Sequence, residues 1–210
     1  MNFTMKSIHQ KIIPKCMYFI ERSSHCSSMA QKLKCCGLIP EVIDQPPCER
    51  LRVNYQRVEV DLGNELLPID CKDEPTVKWC TIPEKLYTLV MLDPDFPCRV
   101  TPSCRSWLHW LVGNIPGDDI EKGKTIAGYV GPAPPKKTGH HRFAFFVYQQ
   151  CCEMKFSEKL ISSCTAKGRP NFDLSCFAQK YNLGVPKAGN FFKAEFDCYV
   201  ETLHRQIGLK

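Results

Sequence analysis

Asp93-Pro94-Asp95-Phe96-Pro97 follows directly on Lys85–Leu92 (KLYTLVML), and this junction of an apolar run with a proline-stiffened acidic turn decides how the chain is read. A short apolar run closed by turn residues suits a strand buried on both faces. Two more dense runs lie downstream, Trp107–Val112 and Arg142–Gln149 (RFAFFVYQ), separated by Pro/Gly turns at Ile115-Pro116-Gly117-Asp118 and Gly131–Gly139. Upstream, Leu51–Tyr55 and Val58–Leu62 alternate apolar and polar residues, the period of half-buried strands. Helical signals come late. Asp173 opens a short helix to Tyr181, stopped by Gly184 and Pro186. Phe192, Phe196, Tyr199, Val200 and Leu203 recur at three and four residues, so a second helix is expected over Phe191–Ile207, ended by Gly208. The fold class is mostly β (α+β), with helices gathered at the C-terminal end and no internal repeat.

Three polar clusters stand where these runs meet loops. In Asp93-Pro94-Asp95-Phe96-Pro97 the prolines fix the direction of two carboxylates. Trp107-Leu108-His109-Trp110 places one imidazole near a strand start, and Gly131-Pro132-Ala133-Pro134-Pro135…Gly139-His140-His141-Arg142-Phe143 delivers two histidines from a rigid loop. Each alone is weak evidence, since a strand-end histidine is more often structural than a ligand.

In order and spacing, however, Asp-Pro-Asp-x-Pro with Arg99 beyond it, Trp107-x-His109 and Gly-Pro-x-Pro-Pro…Gly-x-His-Arg resemble the phosphatidylethanolamine-binding proteins, the family of the Raf kinase inhibitor protein. The resemblance runs from about Leu38 to Ile207, taking in Ile39-Pro40-Glu41-Val42-Ile43-Asp44 and Ala188-Gly189-Asn190-Phe191-Phe192-Lys193-Ala194-Glu195-Phe196. It implies a large antiparallel sheet packed with a smaller sheet, C-terminal helices, and a surface pocket for phosphate-type anions. Carried over, the ligand-binding residues are Asp93, Asp95, Trp107, His109, Ala133, Pro134, Pro135 and His141. Imidazoles can donate to phosphate oxygens, a carboxylate can orient them or meet an ammonium, and tryptophan can supply an apolar wall. Leu108, Phe143 and Cys98 depart from the family's usual His, Tyr and Ser. The first two bear on ligand affinity.

Composition limits the alternatives. The chain has 210 residues and a net charge of +6, but residues 1–37 hold six basic side chains against Glu21 alone. The body is therefore near neutral, which argues against a nucleic-acid footprint. No apolar run is long enough for a membrane span. Residues 1–36 read as a basic, disordered leader before a domain over 37–210; a mitochondrial targeting segment is the alternative to a cytoplasmic protein. The fourteen cysteines include no C-x-x-C pair and follow no signal peptide, so reduced thiols serving mostly as small buried hydrophobes are expected.

The reading is a monomeric, non-enzymatic binding protein without cofactor or catalytic residues. Its partners would be a phospholipid headgroup or phosphate-type ligand and a protein kinase or protease. The rivals are a metal-dependent hydrolase on Asp93, Asp95, His109 and His141, or an interaction module with a vestigial pocket. No G-x-S-x-G elbow supports a serine hydrolase.

Overall fold

A computed structural model describes residues 29–209. Its centre is a six-stranded sheet in the order β1-β8-β7-β4-β5-β6, formed by β1 (Glu49–Arg50), β4 (Leu86–Asp93), β5 (Trp107–Pro116), β6 (Lys124–Ala127), β7 (His141–Gln150) and β8 (Ala188–Ala194). All neighbours are antiparallel except β1, which adds a short parallel edge to β8. A two-stranded sheet, β2 (Arg52–Asn54) with β3 (Thr76–Lys78), packs on one face.

β4 and β7 read as unbroken apolar runs because the sheet is covered on both sides. Leu89, Met91, Phe143, Phe145 and Val147 enter the core under the small sheet, with Val53, Val77 and Trp79. Their alternates Val90, Leu92, Ala144, Phe146 and Tyr148 pack under helix α3 (Leu174–Lys180), with Leu174 and Phe177. Buried Thr88 donates to Gln150 Oε1 at 2.8 Å, and Gln150 Nε2 donates on to Asn114 Oδ1 and Cys152 O. Asn190 ties β8 to the 51–62 segment: its side chain donates to Leu51 O and Val60 O and accepts from Leu62 N.

α3 begins where the sequence placed it, with the Asp173 side chain accepting from Cys176 N. The last helix is shorter than expected. Phe191 and Phe192 belong to β8, and α4 (Cys198–Ile207) starts after Asp197, whose carboxylate accepts from Tyr199 N and Val200 N. Val58–Leu62 forms only an isolated bridge, Asn54 with Glu59, instead of a strand.

The N-terminal boundary also moves. Residues 29–35 are helical (α1), and Met29 and Leu33 are buried in the α3-side core, ahead of a kinked turn, α2 (Leu38–Glu41). Residues 29–36 thus pack with the domain, and of the leader expected over 1–36 the residues 1–28 lie outside the described residues. The cysteines are corrected too, because Cys71 alone among the described ones is buried and most are exposed.

Candidate functional site

Asp93 at the end of β4, Trp107 and His109 at the start of β5, and His141 at the start of β7 converge at one end of the sheet. All four are at most 1% exposed. Adjacent strands bring the β4 and β7 ends together, and the two-residue period puts Trp107 and His109 on one face, with ring centroids 4.4 Å apart. Phe96 adds an apolar wall against Trp107 and His141. Leu108 points to the opposite face and into the α3-side core, so that departure from the family pattern leaves the site untouched.

His141 is held at both ring nitrogens. Nδ1 lies 2.7 Å from Asp93 Oδ2, and Nε2 lies 2.9 Å from Thr138 Oγ1. The Thr138 hydroxyl donates to Pro135 O, so its oxygen must accept from His141 Nε2–H. Burial raises the Asp93 carboxyl above the usual range, opposed by its hydrogen bond to His141. The Asp93 Oδ1 atom accepts from Asp95 N and closes the turn.

His109 is arranged differently. Its Nδ1 donates to Val130 O at 2.8 Å, since a carbonyl can only accept, which leaves Nε2 as the bare nitrogen. Burial lowers its pKa to about 3, so the ring is neutral at physiological pH. Among the described residues, neither His109 Nε2 nor Trp107 Nε1, both buried, has a hydrogen-bond partner. The expected role of His109 as a donor is thereby corrected: Nε2 accepts, and the indole N–H of Trp107 is the unused donor. Leaving such groups unpaired costs about 1–3 kcal/mol each.

Asp95 does not face this site as a ligand group. It accepts from Arg142 N, Nε and Nη2, at 2.9, 2.8 and 2.5 Å. Burial alone would raise its pKa, but the Arg142 hydrogen bonds and charge outweigh that and hold it low. The same guanidinium reaches Glu41 Oε2 and Cys36 O, both at 2.7 Å, clamping the N-terminal segment to β7. Ala133 and Pro134 are buried, while Pro135 and Thr138 are partly exposed. His204 of α4 donates to Ala133 O, so the last helix fixes this turn. His140 is exposed, with Glu65 and Glu195 each 3.7 Å away.

Arg169 was not singled out in the sequence, where it is one arginine in a Gly/Pro loop. Buried completely, it donates to five carbonyls: Thr165, Leu108, His109, Gly128 and Ser162. Its guanidinium also lies 5.3 Å over the Trp107 ring. Burial lowers its pKa to about 10, which leaves it charged, and among the described residues no carboxylate pairs with it. It fixes the strand carrying Trp107 and His109 and places a positive charge behind them.

The chain matches the family described as phosphatidylethanolamine-binding protein over residues 58–192. It belongs to that family. "Putative odorant-binding protein A5" of Drosophila melanogaster is 44% identical over 171 residues, covering 81% of each chain. The solution structure of the protein CG7054 is 42% identical, with a TM-score of 0.67 over 81% of this chain and 97% of that one. A carboxypeptidase Y inhibitor, solved with its cognate proteinase, is 26% identical with a TM-score of 0.71 over 82% and 97% of the two chains. The family expected from the sequence is therefore confirmed, as are the large and small sheets.

Proposed function

We propose that this phosphatidylethanolamine-binding-family protein binds a phosphate-type small ligand or lipid headgroup at Asp93, Trp107, His109, the Ala133–Pro135 turn and His141, acting by binding and not by catalysis. The observation that carries the reading is the pair of unpartnered buried atoms, His109 Nε2 and Trp107 Nε1. An acceptor beside a donor suits a group that offers both, such as a phosphate carrying one proton or a phosphate with a nearby ammonium. Arg169 favours negative charge there. His141 can offer its Nε2–H to a ligand when the Thr138 hydroxyl moves aside, which frees a hydrogen bond at the partly exposed end of the site.

In this reading the protein regulates a partner enzyme, a protease or a kinase, through the surface around the site. Support comes from the carboxypeptidase Y inhibitor that shares the fold, seated on its proteinase. The metal-hydrolase alternative gains nothing from the geometry, because among the described residues no three His, Cys, Asp or Glu side chains are grouped to hold a metal ion. Calorimetric titration with O-phosphorylethanolamine tests the proposal: wild type binds, and His109→Ala weakens binding at least tenfold. Equal binding by the two proteins removes the ligand from this site.

A further inference from the structure

A second feature lies on the other face of the sheet, seven residues along β7 from His141 and so about 23 Å away. β8 begins at Ala188, paired with Val147, and Lys187 N bonds to Val147 O before the chain turns off. Tyr148, the next residue of β7, therefore has no β8 neighbour. A groove of about 430 Å³ opens there between residues 42–45, α3 and the loop 182–186.

We propose that this groove is a binding site for a small organic ammonium ion carrying an apolar body. Tyr148 lines it and is only 2% exposed, and among the described residues its hydroxyl has no hydrogen-bond partner. The hydroxyl is not sealed off in the core, so it is free to bond a group held in the groove. Among the described residues Asp44 is the one charged side chain in the lining, and it stands exposed, so the groove favours a cation over an anion. Side-chain amides of Gln45, Gln179 and Asn182 add carbonyl acceptors for further N–H groups, while Leu174, Ala178 and Val185 provide apolar walls. Burial, with the nearby Asp44 carboxylate, raises the Tyr148 pKa, which keeps the phenol neutral and able to accept from an ammonium. This inference does not depend on the anion site, whose chemistry is of the opposite sign.

The test is a titration of the nitrogen-15-labelled full chain with 2-phenylethylammonium, with phenylacetate as the anionic control at equal ionic strength. The amine is expected to give saturable shifts confined to the amides of residues 42–45 and 174–185. Asp44→Asn should weaken it at least tenfold and Tyr148→Phe severalfold. Because Asp44 is exposed, its substitution leaves the fold intact, so that variant decides the matter even if Tyr148→Phe folds poorly. Equal binding of phenylacetate, unchanged binding in Asp44→Asn, shifts centred on His109, or no saturable shift would each overturn the proposal.

Discussion

Asp93 Oδ2 and His141 Nδ1 meet at 2.7 Å across the junction of β4 and β7, both buried, and the second ring nitrogen of His141 is fixed by Thr138. The two histidines of the site consequently differ. His141 shares a proton with a carboxylate, whereas His109 is neutral with its Nε2 acceptor unused. Removing the Asp93 charge should unsettle His141 without moving His109. Asp93→Asn is expected to weaken phosphate-type binding by about 1.5–3 kcal/mol, as for a hydrogen bond to a charged group. Isothermal titration with phenyl phosphate checks this, and an unchanged affinity would show that the pair has no bearing on the ligand.

Stability should report the neutral state of His109. Its pKa is lowered by burial to about 3, so the unfolded chain binds more protons than the folded one below pH 6.5, and stability is lost as pH falls from there toward 3. Asp93, raised by burial, acts in the opposite sense, its contribution growing as pH falls. Between pH 7 and pH 5 the His109 share is about 2 kcal/mol, within the limit of about 1.36 kcal/mol per pH unit. Urea unfolding of wild type and His109→Gln at both values isolates it, and the variant should lack that part of the decline.

Binding should depend on pH for the same reason. A phosphate dianion offers no proton to His109 Nε2, and phosphate monoesters lose their second proton near pH 6. The affinity for phenyl phosphate is expected to fall as pH rises from 6 to 8, approaching tenfold per unit, because the complex retains one proton that the separate partners lack. A flat profile measured by calorimetry would mean that Nε2 does not meet the phosphate.

Residues 29–36 should prove necessary for full stability. Burying a side chain such as Met29 or Leu33 contributes about 1.5–3 kcal/mol, and the bonds from Arg142 and Arg99 to Cys36 O are lost with the segment. A chain spanning 37–210 is expected to be about 3–6 kcal/mol less stable than one spanning 29–210. Coincident urea transitions would return the domain boundary to residue 37.

The buried setting of Phe143 changes what a tyrosine would do there. The ring is 0% exposed, stacked on Phe192 at 5.2 Å and edge-on to His109 at 5.2 Å. Phe143→Tyr adds a hydroxyl to a packed core and should cost the ligand-free protein about 1–3 kcal/mol. With phosphate-type ligand present it should tighten binding by about 0.5–1.5 kcal/mol through one added hydrogen bond. Thermal melts with and without phenyl phosphate separate the two effects.

The strands that carry the site were legible because β4 and β7 are unbroken apolar runs, and Asp93, His109 and His141 stand at the ends of such runs. Phe191–Phe192 misled because a strand and the following helix happen to place Phe192, Phe196, Tyr199 and Leu203 at helical spacing. Asp197 was the missed start signal. The segment 29–36 offers only Met29 and Leu33, four residues apart, too little to mark a periodic face. Asp95 and Arg169 owe their roles to contacts with residues 47 and 60 positions distant, which no local pattern contains.

The ring nitrogens of His109 test the central claim most directly. In nitrogen-15 spectra of the free protein at neutral pH, Nδ1 should be protonated and Nε2 bare. Saturation with O-phosphorylethanolamine should move the Nε2 resonance toward the hydrogen-bonded position while Nδ1 stays on Val130 O. A His109 ring left unchanged at saturating ligand would contradict the account.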